Sequence, residues 1–228
     1  MIVCTILERY GVAWKYLHFP ATDPAGRVVP LPDFLRHLRD FILPDERGRV
    51  SFFTGYRRFG PPHTTCAATL LAENPHMVFI SCFAFQYVDD SAALARELRD
   101  GGFEGPIIAG GAGVCAAPDR LLRNGCVDFV LTGEAEVSLP PLLAALKRSS
   151  GSPFSQRTAR SVLSEIRWKT PRRTATPCEI EVPLSVGTDP DGTTRISTSL
   201  SRGCPRSCFF CSAFLCHGRD YRTVELER

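Results

Sequence analysis

Apolar positions in the first two-thirds of the chain alternate between short runs and longer stretches with helical spacing. Residues 1–7 (MIVCTIL), 50–56 (VSFFTGY), 76–85 (HMVFISCFAF), 106–111 (PIIAGG) and 127–134 (VDFVLTGE) read as strands. They are too short for helices, and the third is nearly continuous, the mark of a strand buried on both faces. Between them lie five helical stretches. Residues 31–43 put Leu35, Leu38 and Ile42 on one face, and 63–74 carries Thr64 or Thr65 as a cap. Residues 89–102 open on acidic capping residues, stack Leu94 on Leu98, and close on Gly101 and Gly102. Residues 117–125 are a short helix stopped by Gly125. Residues 136–148 align Leu139, Leu142, Leu143 and Leu146, with Pro140 and Pro141 tolerable only in a first turn.

Strands separated by helices pair in parallel, because parallel neighbours need a crossover, and the helices then cover both faces of the sheet. Residues 1–148 are therefore expected to form an α/β domain, a flavodoxin-like five-stranded doubly wound parallel sheet. Ligands in such sheets sit at the carboxyl ends of the strands. Residues 149–194 change character: a polar start and repeated prolines read as a linker, with an extended piece near 178–186. DPDG at 189–192 signals a turn, and residues 193–201 (TTRISTSLS) alternate like a strand running into a cysteine-rich loop.

Composition adds limits. The chain is 44% hydrophobic and 22% charged with a net charge of +3, which is ordinary globular composition and predicts neither a nucleic-acid nor a membrane partner. Ten cysteines are many for 228 residues. Six (Cys4, Cys66, Cys82, Cys115, Cys126 and Cys178) are scattered singly, and Cys4 and Cys82 lie in apolar runs where a thiol acts as a small hydrophobe. No secretory leader and no long apolar span is legible. The expectation is a cytoplasmic protein whose thiols serve metal rather than disulfides.

The remaining cysteines cluster. SRGCPRSCFFCSAFLCHG, residues 201–218, spaces Cys204, Cys208 and Cys211 as Cys-x-x-x-Cys-x-x-Cys, with Cys216 after them. Three thiolates within eight residues converge on one centre only if the loop wraps it, and Gly203 and Pro205 favour such a turn. Iron–sulfur clusters are held by thiolates of this kind. In a four-iron cubane, three local cysteines leave one iron open to a further ligand. A tetrahedral zinc site with Cys216 or His217 as the fourth ligand is the competing reading, although zinc knuckles favour two Cys-x-x-Cys pairs and one is present. Cys216 otherwise reads as a partly buried thiol at the start of the next element, and His217 as a polar loop residue.

This stretch resembles the radical S-adenosylmethionine (SAM) superfamily: a strand, Arg-Gly before the first cysteine, and an aromatic, Phe210, just before the last. The resemblance implies a 4Fe-4S cluster on Cys204, Cys208 and Cys211 whose open iron chelates SAM. It also implies Phe210 near the adenine, reductive cleavage to a 5′-deoxyadenosyl radical, and an external electron donor of flavodoxin or ferredoxin type. Residues 218–228 (GRDYRTVELER) are similar to the family's continuation before the first barrel helix. Residues 195–228 would then be the first strand and cluster loop of an incomplete radical SAM (β/α) barrel. Only 17 residues come after Cys211, so the later barrel strands would lie beyond Arg228, and this stretch alone is expected to turn over weakly or not at all.

The resemblance extends upstream, to the cobalamin-binding domains that precede many such barrels. There a Ser-x-Leu follows the third strand and Gly-Gly the fourth. Here Ser81, Cys82 and Phe83 stand at the first position, with Phe for Leu, and Gly110, Gly111 and Ala112 at the second. Gly133 and Glu134 match the family's turn after the fifth strand. The resemblance implies a cobalamin tail lying between strand ends where residues lack bulk, Ser81 bonding its base, and the amides of Gly133 and Glu134 facing the same edge. The family's Asp-x-His-x-x-Gly is not matched; His18, after the first strand, lacks the Asp and Gly. A plain strand-to-helix turn accounts equally for Gly110-Gly111, and a backbone partner for Ser81. No dinucleotide fingerprint or phosphate loop is present. The expected function is cobalamin-dependent radical SAM chemistry, methyl transfer being the common theme. The alternative is a non-catalytic cobalamin- or zinc-binding module.

Overall fold

Three parallel strands form the centre: β3 (Val78–Ser81), β4 (Ile107–Gly110) and β5 (Phe129–Leu131), hydrogen-bonded in that order. The register sets Ser81 beside Gly110 and Gly110 beside Leu131, so all three strands end at one edge. The structure is a computed structural model, and it describes residues 2–23, 25–31, 33–41, 56–123, 125–149, 185–188, 194–197, 201–209 and 211–223.

Each crossover is helical, as parallel pairing demands. Helix α3 (Val88–Asp100) joins β3 to β4, and the short α4 (Ala112–Ala116) and α5 (Pro118–Leu122) join β4 to β5. Side-chain alternation along β4 divides the core. Ile107 and Ala109 face Ala92, Ala95 and Leu98 of α3, with Leu121 of α5 and Ala67 of α2 (His63–Ala72). Ile108 faces the opposite way, into a cluster with Leu139, Leu142, Leu143 and Leu146 of α6 (Ala135–Ser149). Both faces of the sheet are therefore helix-covered, an α/β arrangement consistent with a Rossmann-like fold.

The amino terminus corrects an expectation. Residues 1–7 do not add a strand; Ile2–Arg9 is helix α1. Its apolar residues Ile2, Val3, Ile6 and Leu7 recur at helical spacing and pack against α6, and that burial overrides the strand preference of branched side chains. The second strand expected at 50–56 falls outside the described residues apart from Tyr56. The described sheet thus has three of the five expected strands. Helix α6 differs as well: it starts at Ala135, so Pro140 and Pro141 lie inside it and not in its first turn.

One buried ion pair sets the geometry at the amino end of β4. Arg99, in the last turn of α3, donates to the carbonyls of Phe103 (2.6 Å) and Gly105 (2.8 Å) and pairs with Asp128 at 2.5 Å. Asp128 also accepts the Ile107 amide at 2.7 Å. Burial pushes the Asp128 carboxyl up despite that amide and the Arg99 charge.

Residues Lys15–Cys66 form a second unit by themselves. It contains 3-10 helices over Phe19–Thr22 and Asp33–Phe41 and a two-residue antiparallel pair, β1 (Arg27–Val28) with β2 (Arg57–Arg58). His18 belongs to this unit, its ring stacked on Tyr16 with centroids 6.1 Å apart.

Beyond α6, residues 150–184 lie outside the described residues. Two strands, β6 (Ser185–Thr188) and β7 (Thr194–Ser197), pair antiparallel on either side of 189–193. The final segment runs β8 (Ser201–Arg202), the cysteine loop, α7 (Ala213–His217) and β9 (Arg222–Thr223), with β8 antiparallel to β9. Among the described residues no helix is long and apolar enough to cross a membrane.

Leu98 has no exposed surface and sits where α3 meets the sheet. Leu98→Ala is expected to cost about 2–5 kcal/mol, the range for emptying a fully buried leucine site, measured as a lowered urea midpoint with unchanged slope.

Candidate functional site at the carboxyl ends of the strands

Loops after β3, β4 and β5 share one edge of the sheet, the carboxyl edge at which open parallel α/β sheets generally bind ligands. Ser81 ends β3 and is exposed. Cys82 behind it is fully buried, donating its amide to Gly110 O (2.8 Å) and its thiol to Ala84 O (3.5 Å). Burial pushes the Cys82 thiol up, so it behaves as the small hydrophobe expected and is not a reactive group. Phe83 is 77% exposed, and Phe85 and Tyr87 are exposed just beyond it. An exposed phenylalanine and two partly exposed aromatics thus stand at the end of β3.

The glycines after β4 do something specific. Gly111 has φ +113, and a Cβ there would lie 2.5 Å from Cys82 O; one on Gly113 would collide with Ala84 O. Gly113 also donates its amide to Cys82 O at 2.9 Å. The lack of bulk lets the β4 turn lie against the β3 turn, so the protein itself occupies the space that these two glycines open. Gly110 is different, since its Cβ would make only ordinary contact with Leu131 at 3.8 Å.

Glu134, after β5, is the hub of an ion cluster. Its nearly buried carboxylate accepts two bonds from Arg222, Nη2 to Oε1 at 2.5 Å and Nη1 to Oε2 at 2.9 Å. His217 Nδ1 lies 3.2 Å from Oε1, and Arg202 Nη1 lies 3.7 Å from Oε2. The Arg202 side chain is buried, and its Nη2 is 2.8 Å from Glu136 Oε1. That contact is a charge pairing without hydrogen-bond alignment, because neither Glu136 oxygen has a hydrogen-bond partner among the described residues. Burial alone would raise the Glu134 carboxyl. The bonds from Arg222 and His217, with the charges of Arg222 and Arg202, outweigh it and hold the carboxyl below its ordinary 4.5.

These partners all belong to the cysteine segment. Arg202 is in β8, His217 ends α7, and Arg222 opens β9. The segment is thereby fastened to the strand ends, and α7 packs against α4. A second seam runs through sulfur. Cys216 Sγ reaches Ala112 O at 3.8 Å, and Cys115 Sγ accepts the Gly133 amide at 3.3 Å. Burial pushes the Cys216 thiol up to about 12, and the neighbouring Cys115 adds to the rise. Cys216 therefore has a partner of its own, distinct from the loop cysteines.

Within the loop, the Cys204 amide bonds Gly218 O at 3.3 Å, closing its base, and Cys211 N–H bonds Cys208 O at 3.1 Å, making a turn. Gly203 has φ +81, and a Cβ there would run into Asp220 O, so only glycine fits before Cys204. Arg219 stacks over the Phe214 ring at 4.4 Å and donates to Arg206 O (3.2 Å) and Ser207 Oγ (2.9 Å), holding the loop tip. The Cys204 and Cys211 residues are half-buried and Cys208 is exposed, with none in a disulfide. Among the described residues no three His, Cys, Asp or Glu side chains are gathered at metal-holding distances. Three free thiols on one closed loop fit an iron–sulfur cluster by donor type, and holding one requires the three to converge. Phe210 lies outside the described residues.

The residues expected to hold cobalamin fall into two groups. Ser81, Phe83 and Gly110 stand at the open edge, where an exposed hydroxyl and a row of aromatics fit a large amphipathic group. Cys82 is buried, Gly111 faces the β3 turn, and Ala112 O, Gly133 N–H and the Glu134 carboxylate are engaged by the cysteine segment or Cys115. Sequence reasoning missed the contacts of Arg202, Arg222, Glu136 and Cys115: Arg202 and Arg222 were read only as parts of the cysteine segment's resemblance, and no local motif marks their partners.

Two comparisons bear on function. The chain is 29% identical over 133 residues to a protein of Synechocystis sp. described as an uncharacterized methyltransferase, covering 58% of this chain and 22% of that one. It is 32% identical over 206 residues to the hopanoid C-3 methylase of Methylococcus capsulatus, covering 86% of this chain and 33% of that protein. The chain thus spans a third or less of the length of these curated relatives. No family model and no solved structure matches it. Fold and site define an α/β sheet with a cysteine-rich segment fastened at the carboxyl ends of its strands. The relatives with which the chain shares sequence are methyltransferases.

The ion cluster leads to two expected outcomes. A carboxyl held below its unfolded value stabilises the fold above that value, and the stabilisation is lost as pH falls through the lower, folded value. The native chain is therefore expected to lose stability below about pH 4.5, and Glu134→Gln to be flatter in that window, by urea midpoints across an acid series. Arg202→Met strands the buried Glu136 and is expected to lower stability at neutral pH by about 3 kcal/mol. Arg222→Met, at a more exposed position, should lower it less.

Proposed function

We propose that this chain carries the cobalamin-binding and cluster-binding parts of a radical SAM methyltransferase, with Cys204, Cys208 and Cys211 as ligands of a 4Fe-4S cluster. The observation that carries the reading is the Glu134 cluster. It seats a three-thiol loop beside the strand ends of a parallel sheet, where two cofactors that must cooperate would need to be neighbours. The methyltransferase relatives support the reaction class, and the name of one, a C-3 methylase, supports carbon as the methyl acceptor.

When bound, the cluster with SAM would supply a carbon radical, and cobalamin the methyl group that the radical substrate receives. The chain's own residues have simpler tasks. Cys204, Cys208 and Cys211 present thiolates. Arg219 and Gly203 shape the loop that carries them. Arg202, His217 and Arg222 hold that loop at the sheet. Ser81 offers a hydroxyl, and Phe83, Phe85 and Tyr87 offer apolar cover, at the edge proposed for cobalamin.

Anaerobic reconstitution with iron and sulfide tests the first part. A reducible 4Fe-4S species in absorption and paramagnetic resonance spectra is expected, and Cys204→Ala, Cys208→Ala and Cys211→Ala should each abolish it. Tight stoichiometric zinc with no cluster signal would overturn it and favour the non-catalytic metal-binding module. Retention of hydroxocobalamin through gel filtration tests the second part. Ser81→Trp should weaken it at least about tenfold, since a bulky side chain at the strand end obstructs the edge. A folded protein that retains no cobalamin would remove that cofactor from the reading.

A further inference from the structure

The two cysteines outside the loop that meet at its seam have no role in the function just proposed. Cys115 lies on α4 and Cys216 on α7, the two short helices that pack together at the strand ends. Cys216 Sγ approaches Ala112 O at 3.8 Å, one helical turn before Cys115, while Cys115 Sγ accepts the Gly133 amide at 3.3 Å. Cys115 is thus on the turn that Cys216 reaches, and it is the neighbouring thiol that raises the Cys216 thiol further. Both residues are half-buried and neither is in a disulfide. A disulfide demands that its two residues sit on facing elements with sulfurs already adjacent. Among the scattered cysteines, Cys66 and Cys82 do not meet that condition: each bonds a carbonyl of its own stretch, Pro61 O and Ala84 O.

We propose that Cys115 and Cys216 form a redox-closed staple between the sheet edge and the cysteine segment. The oxidant is a small-molecule disulfide of the glutathione class. The Cys115 thiolate attacks one of its sulfurs, forming a mixed disulfide and releasing one thiol. Cys216 Sγ then displaces the second thiol, giving up its proton to the departing thiolate as the Cys115–Cys216 bond forms. Two protein thiols are oxidised, one small disulfide is reduced to two thiols, and the two protons leave with them. Closing this bond fixes α7 on α4 covalently, where hydrogen bonds and ion pairs alone hold it in the dithiol state. The loop bearing Cys204, Cys208 and Cys211 would then be unable to move away from the strand ends. The staple depends on the α4–α7 contact and not on which metal those three cysteines hold.

The experiment treats the full metal-free chain with oxidised glutathione. It reads peptide maps under non-reducing conditions, together with amide hydrogen exchange over residues 201–223. A Cys115–Cys216 linked peptide is expected as the main cross-link, with exchange in 213–223 slowed at least about tenfold and restored by a dithiol reductant. Cys115→Ser and Cys216→Ser should each remove both effects while leaving exchange in β3 and β4 unchanged. Oxidation that stops at glutathione adducts, links confined to Cys204, Cys208 and Cys211, or a Cys115–Cys216 link without slowed exchange would each overturn the proposal. The reductant reversal in the native chain keeps the test decisive if a serine variant fails to fold.

Discussion

The carboxylate of Glu134 is the constraint on which the candidate site depends. It stands at the end of β5, nearly buried, and three cationic or basic side chains from one distant segment converge on it. Taking such a group out of water is unfavourable unless every lone pair is answered, and here the bidentate arginine answers most of them. The cost of leaving Glu134 unpaired is therefore what keeps the cysteine segment at the sheet. Arg202 and Glu136 extend the same logic one step inward. A buried guanidinium shared between two carboxylates tolerates little displacement, so β8 enters the cysteine loop from a fixed position.

The strand-end glycines give a second view of that edge. Their sequence invites a reading as clearance for a cofactor, but Gly111 and Gly113 are needed by the turn after β3, whose carbonyls sit where side chains would go. Close approach of one backbone to another and of a backbone to a ligand make the same demand on a residue, and sequence does not separate them. What remains exposed is the β3 end, with Ser81, Phe83 and, in part, Phe85 and Tyr87.

How much of the structure was legible from residues alone differs by element. The strands β3, β4 and β5 and the helices α2, α3 and α6 emerge from runs and periodicity, because each buries its own apolar face and announces it locally. The first segment misled because Ile2, Val3, Ile6 and Leu7 satisfy two periods at once: a short branched run and a helical stripe. Packing on α6 chooses the helix. The thiols of the loop were legible by spacing, and Glu134 by its position after a strand, although the role foreseen for it was an amide facing a ligand. The partners of Arg202, Arg222 and Cys115 were not legible. Each finds its partner about 70 to 100 residues away in the chain, and nothing in an isolated arginine or cysteine reports a contact that folding creates.

The paired prolines of α6 give this edge a mechanical property. Pro140 and Pro141 have no amide hydrogens, so the carbonyls of Glu136 and Val137 lack the rungs that would tie the first turn to the next. Glu136, in that turn, is joined to Arg202 by charge, while the turn is tied to Leu139 and Leu142 by a helix that lacks those two rungs. The carboxylate that meets the cysteine segment and the leucines that seal the sheet are therefore less tightly coupled than one unbroken helix would make them.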